Sequence, residues 1–80
     1  MADEVKTEYR HIRFERKDLL NGKVVWDCRN KRNGDLLGGV DFYEVWSSYV
    51  FWTTGPTAVF DSACLLDIAN FLDSLEEQKP

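Results

Sequence analysis

The sequence predicts an α+β domain: an antiparallel three- to four-stranded sheet with one C-terminal helix packed on one face, in the order βββ(β)α. Three observations carry this. Apolar residues alternate with a period of two through the middle of the chain, two Asn-Gly pairs punctuate that stretch, and apolar residues recur at helical spacing towards the C-terminus.

The first strand segment, Tyr9 to Lys17, places Ile12 and Phe14 on one side. Lys23 to Asn30 alternates Val24, Trp26 and Cys28 against Val25, Asp27 and Arg29. Leu36 to Tyr43 alternates Leu36, Gly38, Val40 and Phe42 against Leu37, Gly39, Asp41 and Tyr43. Ser48 to Thr54 is aromatic and β-branched throughout, so either of its two alternations can face inward.

Turn chemistry selects the register. Asn21-Gly22 and Asn33-Gly34 are hairpin signals compatible with two-residue or three-residue loops. A two-residue Asn33-Gly34 turn pairs Trp26 with Asp41. A three-residue loop, Arg32-Asn33-Gly34 with Gly34 left-handed, pairs Trp26 with Val40 and Val24 with Phe42. One residue of slip moves every side chain to the other face, so apolar pairing decides for the longer loop. The same loop at Leu20-Asn21-Gly22 pairs Phe14 with Cys28. Both hairpins then agree on a buried face of Ile12, Phe14, Val24, Trp26, Cys28, Leu36, Val40 and Phe42.

Gly55-Pro56 interrupts the chain, and Thr57 to Phe60 crosses to the helix. Asp61 or Ser62 can cap it. Leu65, Ile68, Ala69, Leu72 and Leu75, with Cys64 and Phe71, form the inward stripe, while Asp67, Asn70, Asp73 and Ser74 face water.

Composition bounds the function. At 80 residues the chain is one domain, 1–80, with frayed ends at about 1–7 and 77–80. Its 44% apolar content argues against disorder. A single histidine and two cysteines without CxxC spacing point away from a metal site and from a disulfide scaffold. No apolar run is long enough for a membrane span, and the charged start Met1-Ala2-Asp3-Glu4 is unlike a signal peptide, which implies a cytoplasmic protein. No cofactor is expected. The net charge of -4 is unevenly spread: Lys79 is the one basic residue after Asp35. Mildly basic strands therefore precede a strongly acidic helical half.

Catalytic chemistry finds no support. Cys28 and His11 belong to opposite predicted faces, and no carboxylate pair flanks a cleft, so no catalytic residue and no enzyme is expected. A Cys28–Cys64 disulfide is geometrically allowed but runs against a reducing compartment. Gly38-Gly39 lacks any phosphate-loop pattern and marks a bulge or a place where a ring lies on bare backbone. Arg16 opposite Trp26 offers a cation–π contact.

The predicted open face carries Tyr9, His11, Arg13, Lys17, Lys23, Val25, Asp27, Arg29, Leu37 and Tyr43. The fourth strand adds Trp52 in one alternation, or Tyr49 and Phe51 in the other, and Trp46 stands at the bend before it. One helix cannot cover all eleven aromatic rings of the chain. They form either a second small core or an exposed platform, and tyrosine, tryptophan and arginine are the residues that dominate binding hot spots. Candidate binding residues are accordingly Arg13, Arg29, Tyr43, Trp46 and Trp52.

One resemblance bears on origin. The pattern Val24-Val25-Trp26-Asp27-x-Arg29-Asn30-Lys31, then Leu37-Gly38-x-Val40-x-Phe42-Tyr43-x-x-Trp46-x-x-Tyr49-Val50-Phe51, then Val59-Phe60-Asp61-Ser62-x-Cys64-Leu65-x-Asp67-Ile68-x-x-Phe71-Leu72 is similar to short uncharacterised proteins of tailed phages, prophages and mobile elements. It departs from them after Trp46, where Ser47 stands in place of an arginine. The resemblance implies a small accessory protein in the host cytoplasm, of host-takeover or anti-defence type. Its size, acidic helix face (Asp67, Asp73, Glu76, Glu77) and surplus rings suggest binding to a host protein as an inhibitor or modulator. The alternatives are a nucleic-acid-binding module on the open face, similar at fold level to the three-stranded domains of phage integrases and the plant AP2 class, and a nucleotide-binding or homo-oligomeric structural protein.

Overall fold

The computed structural model describes residues 5–56 and 58–78. Four strands, β1 (Ile12–Asp18), β2 (Val24–Asn30), β3 (Leu36–Tyr43) and β4 (Ser48–Thr53), form one antiparallel sheet in the order β1-β2-β3-β4, and helix α1 (Ser62–Glu77) lies on one face. This is the βββ(β)α arrangement the alternation and helical repeat predict, with the fourth strand present. Among the described residues, no helix is long and apolar enough to cross a membrane.

The first hairpin closes through Leu20-Asn21-Gly22. Leu19 N donates to Lys23 O at 2.8 Å and Gly22 is left-handed at φ 88°, so Phe14 pairs with Cys28 as the register argument requires. The second hairpin reaches the expected Trp26–Val40 pair by another route. Its loop has four residues, Lys31 to Gly34, closed by Asn30 N donating to Asp35 O at 2.9 Å. Arg29 therefore pairs with Leu36, and a bulge between Cys28 and Arg29 restores the inner register with Leu37 as the extra residue. The bulge exchanges the faces of two leucines. Leu36 joins Arg29 on the open face, 37% exposed, and Leu37 packs against the core, the reverse of the sequence expectation.

Pairing of Gly39 with Trp52 and of Phe42 with Tyr49 sets β4. Tyr49 and Phe51 pack inward, while Trp52 takes the open face. The glycines explain this choice. A Cβ on Gly38 would strike the Trp52 carbonyl and stand 2.7 Å from Phe51 Cζ, and a Cβ on Gly39 would stand 2.6 Å from Trp52 Cε2. Bare backbone on both faces accommodates one ring on each.

The core comprises Tyr9, Ile12, Phe14, Cys28, Val40, Ile68, Phe71 and Leu75. Phe71 of α1 is its centre, stacked on Phe14 at 3.9 Å between ring centroids and meeting Trp26 edge-on at 5.1 Å. That seat sets the helix phase: the inward stripe is Cys64, Ile68, Phe71, Leu72 and Leu75, whereas Leu65 is 54% exposed and Ala69 also faces solvent, contrary to the sequence expectation. Asp61 provides the cap, accepting from Cys64 N at 2.8 Å, and that bond holds its carboxyl below the usual range. Phe60 closes the crossing by meeting Phe51 edge-on at 5.5 Å, and Thr57 lies outside the described residues.

Tyr9 corrects a second expectation. It is buried rather than on the open face, and its hydroxyl donates to Asn70 Oδ1 at 2.7 Å. The chain bends at Arg10-His11, with Tyr9 N donating to Ile12 O, so strand alternation does not extend back to Tyr9. Upstream, Thr7 O accepts from Phe14 N and Val5 packs on the core. Positions 1–4 and 79–80 of the expected frayed ends lie outside the described residues.

Candidate functional site

The sheet face opposite α1 carries Arg13, Glu15 and Lys17 of β1, Val25, Asp27 and Arg29 of β2, Leu36, Gly39, Asp41 and Tyr43 of β3, and Ser48, Val50 and Trp52 of β4. This follows from the strand pairings and the inward positions of Phe14, Cys28, Val40 and Phe51.

Its charged half is built from diagonals. Arg13 stands directly opposite Arg29, and Glu15 opposite Asp27, so each direct pair is like-charged and unfavourable alone. The offsets reverse this. Glu15 accepts from Arg13 Nε at 2.9 Å and from Arg29 Nε at 3.1 Å, Asp27 holds Lys17 at 3.2 Å and Arg29 at 3.6 Å, and Lys23 reaches Asp41 at 3.1 Å. Arg29 Nη1 also donates to Gly34 O at 3.0 Å, which ties the second loop to the face. The hydrogen bond from Arg13, more than that from Arg29, holds the Glu15 carboxyl below the ordinary carboxylate range. Arg13 and Arg29 are thus brought together, as expected, but each is already committed to carboxylates. Arg16, expected over Trp26, bonds Asp18 at 3.0 Å instead.

The aromatic half is different. Tyr43 and Trp46 meet edge-on at 5.1 Å between centroids and are 42% and 68% exposed. A turn places them. Trp46 N and Ser47 N donate to the carbonyls of Tyr43 and Glu44, and Ser47 is left-handed at φ 52°. Trp52 is 42% exposed and lies over Gly39 on the same face, towards the opposite end of β3. Leu36 extends the apolar surface at that end. Of the five candidate residues, then, three are accessible rings and two are charges locked in a network.

The cysteines are not part of this face. Cys28 is fully buried, burial pushes its thiol up to about 12, and Cys64 is a second free, half-buried thiol. A thiol so held is protonated at neutral pH and is a poor nucleophile. His11, exposed before β1, lines a separate half-open cleft of about 390 Å³ with Arg10, Asn30, Lys31 and Arg32. Sequence reasoning assigned some of these residues to the sheet loops without recognising that they converge. Residues 31–32 fall beyond the expected second strand, which leaves 10–11 of the first segment without partners there, and the signal available was their alignment across the first hairpin. No protein-family model, curated protein or solved structure matches the chain.

Proposed function

We propose that this chain is a non-catalytic binding protein, an accessory factor of phage or mobile-element type, that docks on a host protein through its open sheet face and inhibits or modulates it. One observation carries the reading: the charged side chains of that face satisfy one another, so the groups left to a partner are the rings of Tyr43, Trp46 and Trp52. Exposed tyrosine and tryptophan rings on the same face as pre-oriented arginines are the residue types that dominate interface hot spots, and rigid aromatic side chains lose little entropy on docking. Exposure of these rings in a chain this small is otherwise unfavourable.

The nucleic-acid alternative is less well supported on this face. Backbone affinity arises from cations that exchange counterions for phosphate. Arg13, Lys17 and Arg29 instead face Glu15 and Asp27, so a phosphate would have to break existing pairs.

The test is capture from host lysate by the immobilised chain, with the recovered protein then titrated against purified wild-type and variant chains. A saturable partner whose affinity falls at least tenfold in Trp46→Ala and Trp52→Ala supports the reading. A partner unaffected by both variants, or a salt-dependent shift of labelled DNA that Arg13→Ala weakens, overturns it.

A further inference from the structure

The lysines and arginines of the described chain divide into three groups. Arg13, Arg16, Lys17, Lys23, Arg29 and Lys31 each have a carboxylate oxygen within 2.9 to 3.6 Å. Lys6 lies 4.7 Å from the centroid of the Tyr9 ring. Arg10 and Arg32 have no ion pair among the described residues, and both line the same cleft, about 390 Å³, with His11, Asn30 and Lys31. Among the described residues, no carboxylate lines it.

Backbone geometry brings these side chains together. Lys31 N donates to His11 O at 3.0 Å, which carries the β1–β2 ladder one step past its last pair, Ile12–Asn30. Arg10 and Arg32 follow from the two sides of that step. Asn30 Oδ1 accepts from Arg32 N at 2.8 Å and fixes the start of the loop. Lys31 Nζ is turned to the Tyr9 carbonyl at 2.9 Å and to Glu8 at 3.4 Å, so it braces the wall more than it offers a charge. The nearby Asp61 carboxylate feels His11, but its main partner is the Cys64 amide.

We propose that this cleft binds a phosphomonoester dianion, held by the Arg10 and Arg32 guanidiniums with His11 as a third donor. The proposal is independent of the protein-docking reading of the open face. In a chain of net charge -4 whose sheet cations are neutralised internally, two guanidiniums that line one concavity without an ion pair among the described residues repel each other unless an anion joins them. Guanidinium forks match phosphate oxygens. A carboxylate is satisfied by one fork, whereas a phosphomonoester has three terminal oxygens to accept from arms on two sides. The volume lies within the range of small-ligand sites.

The test is titration of the ¹⁵N-labelled full chain with inorganic phosphate, a nucleoside monophosphate, acetate, and an oligonucleotide with either a 5′-phosphate or a 5′-hydroxyl. Phosphate should shift the amides of Arg10, His11, Lys31 and Arg32 saturably and leave those of Tyr43 and Trp52 in place. Arg10→Ala and Arg32→Ala should each weaken binding by about tenfold, while Arg16→Ala leaves it unchanged. Tighter binding of the nucleoside monophosphate than of phosphate identifies a free nucleotide. A preference for the 5′-phosphorylated over the 5′-hydroxyl oligonucleotide identifies a strand end. Equal binding of all phosphate species identifies the phosphate group alone, and each of these supports the site. Shifts that do not saturate, acetate binding as well as phosphate, or equal weakening by Arg16→Ala overturns it.

Discussion

The Trp52 indole occupies the space a side chain on Gly39 would fill: a Cβ there would stand 2.6 Å from Trp52 Cε2 and 3.0 Å from the Trp26 carbonyl oxygen. The ring is therefore seated on bare backbone and held on the open face by steric fit, while remaining 42% exposed.

Gly39→Ala should unseat that ring. The carbonyl of Trp26 belongs to β2 and cannot retreat cheaply, so the indole must move, at a cost of about 1–3 kcal/mol. In a chain whose other two tryptophans are replaced by phenylalanine, Trp52 fluorescence should shift to the red and its acrylamide quenching should rise. Unchanged quenching would mean the ring does not rest on Gly39.

Trp46→Ala separates binding from folding. At 68% exposure the ring contributes little to the core, and its main contact is the edge of Tyr43. Thermal stability should change by no more than about 0.5 kcal/mol, whereas a partner docking on this face should lose about 2 kcal/mol of affinity or more. Calorimetric melting and titration of the same variant provide both values.

The inner register was legible because a slip of one residue would have buried Asp41 in place of Val40, and the hairpin glycines allowed the apolar solution. The bulge was not. Alternation cannot show that Leu37 lies unpaired when Leu36 and Leu37 are equally apolar, and only the exchange of a three-residue for a four-residue loop distinguishes them. The helix phase failed for a similar reason. Leu65 and Ala69 fit a 3.6 period as well as Cys64 and Phe71 do, and the choice depends on Phe71 stacking on Phe14, a contact between segments far apart in the chain. Of the site, the exposed rings were readable as surplus over what one helix covers. The neutralisation of Arg13 and Arg29 was not, since it depends on diagonal reach across paired strands.

The buried thiol makes alkaline stability testable. Cys28 is fully enclosed, and burial, followed by the proximity of Cys64, lifts its pKa from 9.0 to about 12. The unfolded chain releases this proton near pH 9 and the folded chain does not. Stability is therefore complete below pH 9 and falls as pH rises from about 9 towards 12. Melting temperatures of the wild type should decline across that window, and Cys28→Ala, though less stable at neutral pH, should show a shallower decline. In native buffer, Cys28 should also react with thiol reagents only at the rate of opening.

Glu76 gives the sharpest sign. It stands in the last turn of α1, where the partial negative charge of the helix terminus disfavours a carboxylate, and the last turn holds no basic residue. Treated as a surface acid, it should stabilise the protein when removed. The structure places its Oε2 2.7 Å from Tyr49 N, on the outer edge of β4. Thr54 N donates to Leu37 O on the inner side, so Tyr49, five residues earlier, directs its amide away from β3. The carboxylate thus closes an edge amide that would otherwise be open to another strand. Glu76→Ala should lower stability by about 1–2 kcal/mol, which is the roughly 1.5–3 kcal/mol of a hydrogen bond to a charged acceptor less the helix-end repulsion it relieves, and Glu76→Gln should lower it less. Hydrogen exchange should accelerate at the Tyr49 amide more than at its neighbours in β4. A variant that melts higher than wild type, with Tyr49 exchange unchanged, would show that the helix-end repulsion outweighs the strand contact.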